Sequence, residues 1–446
     1  MKKLILSIFL IPATFSAQQT ISRDAEIANY VSQVSADSLK SHINKLVSFG
    51  TRHTMSSTTD AKKGIGAARN WVLSKFKNYA KNSDGRMEVF LQSQTIQPDG
   101  KRINQPTDLG NAIAILRGTD PNDKRIFMIG GHLDSRVSDV MNAKDFAPGA
   151  NDDGSGVGAV IESARILSQS KFPATIVFVA FSGEEQGLLG AKMLAEKAKN
   201  ENWQLEALLN NDMIGNNLSS ETNLINANQL RVFSEGLPQF DLDKKAQGIR
   251  NLGLENDGEA RQLARYIKEI GERYVDNLEV KLIYRNDRFL RGGDHTSFVN
   301  QGFSAVRLTE FNENYDHQHQ NIRKENGKQF GDLPEFMDFE YFKKNVGVNV
   351  SVLANLAKSP SKPENVKMDV KELTNFTTIH WEKPKNGEVV GYYVLMRETD
   401  SSIWQKKFFT KENSMKLPYS KDNYFFAVQA VNSSGNESLI VIPSVK

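Results

Sequence analysis

Histidines and carboxylates recur along this chain, each set placed directly after a run of apolar residues or in a glycine-rich turn. His132 and Asp134 stand in Gly130-Gly-His-Leu-Asp134, which closes the run Arg125–Ile129. Ala150-Asn-Asp-Asp-Gly-Ser-Gly156 follows and carries Asp152 and Asp153. Phe181-Ser-Gly-Glu-Glu185 closes Ala174–Ala180 with Glu184 and Glu185. Asn210-Asn-Asp212 closes Leu205–Leu209, and Gly292-Gly-Asp-His295 completes the series. Imidazoles and carboxylates in this number suit a pair of hydrolytic metal ions. Two cations about 3.5–4 Å apart polarise one shared water, which then loses a proton near neutral pH. Such a site needs a carboxylate that spans both ions and terminal ligands for each. It also needs a free carboxylate to accept the proton. The chain has no cysteine. Any ion is therefore held by nitrogen and oxygen, a donor set that suits zinc and also accepts cobalt or manganese.

The elements that must position these residues are legible in the spacing of apolar side chains. From 125 to 212 the pattern runs strand, loop, helix, strand, loop, helix, strand, with helices at Val157–Leu167 and Leu188–Lys199. Strands alternating with helices imply a largely parallel sheet covered on both faces. Ligands of such sheets bind beyond the carboxyl ends of the strands, where every cluster named above falls. Helical spacing also marks 24–49, with a break at Ser35-Ala-Asp-Ser, and 62–80, Glu259–Tyr274 and Phe339–Ala357. Strands are expected at 87–97, 111–116, Leu278–Tyr284 and Gly302–Thr309. Residues 216–257 are polar and poorly periodic and read as an insertion at the rim of the cleft.

Composition changes at Ser359-Pro-Ser-Lys-Pro363, a proline-rich linker. Beyond it, short alternating runs at Thr377–Trp381, Gly391–Arg397, Tyr424–Val431 and Ser438–Ile442 predict a small β-sandwich. Trp381, Tyr393 and the alternating run Tyr424 to Ala430 resemble the core and tyrosine-corner pattern of fibronectin type III modules. At the other end, Met1-Lys-Lys, an apolar Leu4–Leu10 and small residues up to Ala17 read as a signal peptide with cleavage expected after Ala17, Ser16 being the alternative. The expected location is therefore outside the cytoplasm, periplasmic or secreted. That apolar run is too short to span a bilayer. With 446 residues, 24% charged side chains and a net charge of +3, nothing points to nucleic acid as a partner.

The five clusters together, in order and spacing, resemble the secreted bacterial di-zinc aminopeptidases of leucyl-aminopeptidase type, over roughly residues 35–357. The resemblance implies a three-layer α/β/α fold with a mixed, largely parallel sheet, followed by the C-terminal all-β sandwich. Together with the composition readings, the expected division is a signal peptide at 1–17, the exopeptidase domain at 18–357, the linker at 358–364 and the sandwich at 365–446. The resemblance assigns His132 and Asp212 to one zinc ion, Glu185 and His295 to a second, and Asp152 to both. Glu184 becomes the general base, and Asp134 orients His132 through its other ring nitrogen. A cis peptide between Asp152 and Asp153 is implied as well. His319, just past the strand ending at Phe311, is assigned to the substrate cleft rather than to a metal, and the aspartate usual a few residues later is missing. Glu310 and Asn312 are candidate contacts for a substrate's amino end, while His42, His53 and His380 are read as structural. The expected substrates are peptides or proteins, cleaved at the amino end. A carboxypeptidase or glutaminyl cyclase-like zinc enzyme of the same clan is the nearest alternative, and a non-catalytic adhesion protein the most distant. The sandwich is a candidate contact with cell-surface polymer.

Overall fold

In a computed structural model, which describes residues 23–236, 248–249 and 251–445, eight strands build one central sheet. They are β1 (Met87–Ile96), β2 (Thr107–Leu116), β3 (Arg125–His132), β4 (Thr175–Phe181), β5 (Gln204–Asn211), β6 (Gln229–Phe233), β7 (Glu279–Ile283) and β8 (Ala305–Glu310). Their order is β1-β2-β4-β3-β5-β8-β6-β7. The central four, β4-β3-β5-β8, are parallel, and antiparallel pairings at β2/β4 and β6/β8 extend the sheet on both sides. The sheet is thus mixed, with its parallel part at the centre. Parallel strands are covered on both faces, so their sequences are apolar nearly throughout; every residue of β4 is buried.

Eight helices among the described residues form the outer layers: α1 (Ala25–Ser32), α2 (Ala36–Val47), α3 (Gly64–Ala80), α4 (Gly154–Leu167), α5 (Leu189–Asn200), α6 (Glu259–Tyr274), α7 (Asp294–Val299) and α8 (Phe339–Lys358). Strand alternation divides the core accordingly. Phe127 and Ile129 of β3 join α1 to α4, α6 and α8, whereas Met128 joins α5 and α7 on the other face. The expected break in 24–49 is present: Ser35 accepts from the Ser38 N–H and starts α2. Residues 216–257 do not form a mere rim insertion, because Gln229–Phe233 pairs with β8 and β7 inside the main sheet. The signal-peptide reading of 1–17 lies outside the described residues. No helix among them is long and apolar enough to cross a membrane.

Two glycines let β3 and α4 touch. A Cβ on Gly131 would sit 2.5 Å from the Gly156 carbonyl carbon, and one on Gly156 would sit 2.2 Å from Asp153 Oδ2. Only a residue without a side chain permits this approach, which carries the start of α4 up to the end of β3.

Glu162 of α4 ties the outer helices together. Its buried carboxylate accepts from Ser38 Oγ at 2.8 Å, Ser35 N at 3.1 Å and Arg165 Nη2 at 2.7 Å. Burial raises its pKa, but Arg165, His42 and Ser38 outweigh that and hold it at about 2. The folded value lies below the unfolded one. The stabilisation is therefore complete above about pH 4.5 and is lost as pH falls from there towards 2, on the order of 3 kcal/mol in all. Glu162→Gln is expected to flatten the acid limb of a stability–pH curve measured by denaturant unfolding; an unchanged limb would remove this role.

After a short hairpin of β9 (Arg323–Glu325) and β10 (Lys328–Phe330), seven strands form the C-terminal sandwich: β11 (Glu364–Met368), β12 (Thr377–Glu382), β13 (Gly391–Glu398), β14 (Lys406–Thr410), β15 (Ser414–Leu417), β16 (Tyr424–Val431) and β17 (Ser444–Val445). They pair as β15-β12-β11-β17 and β14-β13-β16. Trp381 packs edge-on against Tyr392 at 5.3 Å in its core. Ser438–Ile442, expected as a strand, makes a single isolated bridge to β16, Val441 with Val428. The opposite face of the β13 sheet turns to α6, where Trp404 Nε1 donates to Gln262 Oε1 at 3.3 Å. Arg273 pairs with Glu437 at 2.7 Å, and Arg397 pairs with Asp257 at 2.5 Å. The linker is pinned too, since Arg125 donates to the Ser359 and Pro360 carbonyls.

Candidate metal centre

His132 is the last residue of β3, Asp212 follows β5, and Asp152 precedes α4. Their ligand atoms lie within 4.8 Å of one another. A second group, Asp152, Glu185 and His319, meets the same limit and shares Asp152 with the first. Asp152 Oδ1 is 3.2 Å from His132 Nε2, and Oδ2 is 2.8 Å from His319 Nε2. Glu185 Oε1 is 2.7 Å from the same His319 nitrogen. That oxygen is buried and makes no hydrogen bond among the described residues. A carboxylate oxygen and a ring nitrogen that converge without hydrogen-bond geometry fit a shared cation, and two imidazoles with three carboxylates are a donor set for zinc. Glu184 belongs to neither group but lines the same cleft of about 360 Å³.

One placement differs from expectation. His295, expected on the second ion, lies outside both groups; its Nε2 faces the Asn286 carbonyl at 2.8 Å. The loop before α7 folds over this ring and takes it up as an anchor. His319, expected only to line the cleft, stands in its place, turned inward by a left-handed backbone with φ 55°. Asp134 reaches the other ring nitrogen of His132 through its main chain. The Nδ1 of His132 meets the Asp134 backbone carbonyl at 3.0 Å, with the carboxylate 3.7 Å away. The carboxylate instead accepts from the N–H groups of Gly183, Glu184 and Glu185 at 2.9, 3.2 and 3.0 Å. Asp134 therefore orients His132 by its main chain and shapes the Glu184-Glu185 turn by its side chain. Asp153, joined to Asp152 by a cis peptide, accepts from His132 N at 2.9 Å and Gly156 N at 2.7 Å. It thereby fixes the start of α4 against the end of β3.

Burial disfavours charge throughout the cluster, and the carboxylates reverse this for the histidines. Asp152 and Glu184 hold the His132 imidazole well above its usual range despite burial. For His319, Glu185 and Asp152 overcome burial and carry it to about 10. The site thus attracts positive charge, as a dication requires. Glu184 is pushed well above the usual carboxylate range, by burial first and then by Glu185, Asp212 and Asp294 against the opposing pull of His132.

The sequence pattern of Peptidase family M28 matches residues 111–336, and that of the fibronectin type III domain matches 361–443. A probable zinc metalloprotease of Leptosphaeria maculans is 42% identical over 421 residues, covering 94% of this chain and 97% of its own. This chain belongs to peptidase family M28. A second probable zinc metalloprotease, from Pyrenophora teres, is 41% identical over 424 residues, with 94% of this chain and 87% of its own covered. Both relatives are fungal, so the narrower likeness to bacterial enzymes of leucyl-aminopeptidase type gives way to M28 as a whole. The LapA aminopeptidase of Legionella pneumophila shares the fold, with a TM-score of 0.53, 19% identity and 80% of each chain covered.

As an M28 peptidase, hence a hydrolase, the chain also relies on residues that motif reading missed. Arg52 is fully buried and donates to the Leu133, Pro148 and Gly149 carbonyls at 2.7, 2.6 and 2.8 Å. It clamps the segments that carry Asp134 and Asp152. Asp332 accepts from Asn151 N and from Asp152 N at 2.7 Å; burial carries its pKa to about 7. Arg136 donates from Nε to Glu185 Oε2 at 2.8 Å, and its Nη2 lies 2.6 Å from His319 Nδ1. A buried arginine or aspartate carries no local sequence signature, because its partners are backbone groups far along the chain. Glu310 accepts from Asn151 and Asn216, while Asn312 donates to the Asn217 and Leu224 carbonyls. His42, His53 and His380 bond to Ser38, the Val140 carbonyl and Asp369, in keeping with structural roles.

Proposed function

We propose that this chain is an exported zinc exopeptidase that removes N-terminal residues from peptides, using two ions and a glutamate base. One observation carries the reading: two ligand groups share Asp152, and Glu184 stands beside them uncommitted. His132, Asp152 and Asp212 would hold one ion, and Asp152, Glu185 and His319 the other. Bound there, the ions supply an activated water and stabilise negative charge developing on the scissile carbonyl oxygen. Glu184, made basic by burial and neighbouring carboxylates, takes the proton of the attacking water and returns it to the leaving nitrogen. Arg136 holds Glu185 in place. A His319 ring that offers Nε2 to a cation carries its proton on Nδ1. With a cation on Nε2, Arg136 would give up its contact with Nδ1 and keep the bond to Glu185. Export rests on the composition of residues 1–17. The sandwich, docked on α6, turns its remaining surface to protein substrate or cell-surface polymer.

The test compares peptides with a free amino end against the same peptides acetylated there, with and without chelator. Release of N-terminal residues from the free peptides alone, abolished by chelator, is the expected result. Trimming of the acetylated peptides from the carboxyl end would replace the aminopeptidase reading with a carboxypeptidase.

A further inference from the structure

Four arginines, Arg102, Arg136, Arg288 and Arg291, line the cleft that contains the candidate metal centre. Two are committed: Arg136 pairs with Glu185 and Arg288 with Glu313 at 2.7 Å. Arg102 reaches in only to donate to the Glu185 carbonyl. Among the described residues neither Arg102 nor Arg291 has a carboxylate partner. In a cleft otherwise dense in acids, two arginines without a carboxylate partner are unexpected unless a ligand supplies the missing anion.

Arg291 stands on an anchored rim rather than a loose loop. Asp287, 3% exposed, accepts from Arg307 Nη1 at 3.1 Å through both oxygens. Arg307 and His295 hold that carboxylate at about 2 against burial. His295 braces Asn286. Above this base Leu290 takes a left-handed φ of 56° and is fully exposed, so the chain turns and presents Arg291 to the cleft. The residue expected to bind metal thus serves to hold the arginine-bearing rim.

We infer that Arg291, together with Arg102, binds a carboxylate of the peptide substrate, so that the enzyme prefers peptides bearing a carboxylate close to the cleaved bond. This rests on the peptidase reading. A guanidinium fork matches a carboxylate in two parallel hydrogen bonds. An acidic side chain and the free carboxyl end of a short peptide both present that group.

The experiment measures kcat/KM for four peptides with free amino ends: a neutral tripeptide amide, its analogues with Glu or Gln at the second position, and the neutral tripeptide with a free carboxyl end. The wild type should favour a carboxylate-bearing peptide over its uncharged counterpart about tenfold or more. Arg291→Gln should bring that ratio close to one, mainly through KM, and Arg291→Lys should retain part of it. Preference for the Glu peptide assigns the carboxylate to a side chain, and preference for the free acid assigns it to the chain end. Equal rates on all four peptides, or a preference that survives both Arg291→Gln and Arg102→Gln, would overturn the inference. If none is cleaved the peptidase reading has failed, and calorimetric binding of the Glu and Gln peptides still decides. Tighter binding of the Glu peptide, lost in Arg291→Gln, supports the inference, and equal affinities overturn it.

Discussion

Glu184→Gln is expected to lower kcat by about 10³-fold or more while leaving the metal content of the protein unchanged. The side chains are nearly isosteric, so the cleft keeps its shape, but an amide cannot take a proton from water. The turn that carries Glu184 does not depend on its carboxylate, since Asp134 holds the turn through three backbone N–H groups. Turnover and elemental analysis on the same preparation check the claim. Turnover near that of the wild type would remove Glu184 from proton transfer. A loss of bound metal would make it a ligand instead.

The second large effect separates two histidines. His319→Ala should cost the second ion, weakening its binding by more than the 10- to 100-fold typical of losing a partner behind a ligand. His319 Nε2 lies within 2.8 Å of oxygens from both Asp152 and Glu185. Removing the ring leaves only carboxylates for that ion. His295→Ala should keep both ions, because its ring meets the Asn286 carbonyl and belongs to neither ligand group. Its cost should fall on the rim loop and on stability. Metal titration of the two variants decides. Equal loss in both, or loss in His295→Ala alone, would reverse the assignment.

Most of the scaffold could be read from the chain because its physics is local. The parallel strands are short apolar runs, and the helices carry apolar residues at period 3.6. The rule that ligands gather beyond the carboxyl ends of such strands places the clusters holding His132, Asp152, Glu185 and Asp212 at one rim, and the family resemblance supplies their expected roles. The rule cannot rank His295 against His319. Both lie at that same rim, one at the start of α7 and one after β8. Which ring points inward depends on the path of the 284–293 loop, set by Asp287 and Arg307. β6 was illegible for another reason: five residues with Gln229 and Arg231 half-buried give a weak alternation. Arg52, Arg136 and Asp332 act on groups distant in sequence, and no spacing announces them.

The central claim is a centre in which Asp152 is common to two ions. Anomalous scattering at the zinc absorption edge, from crystals of the zinc-loaded protein, tests it most directly. Two peaks flanking Asp152 are predicted, one beside His132 and Asp212 and the other beside Glu185 and His319. A single peak, or one beside His295, would contradict it.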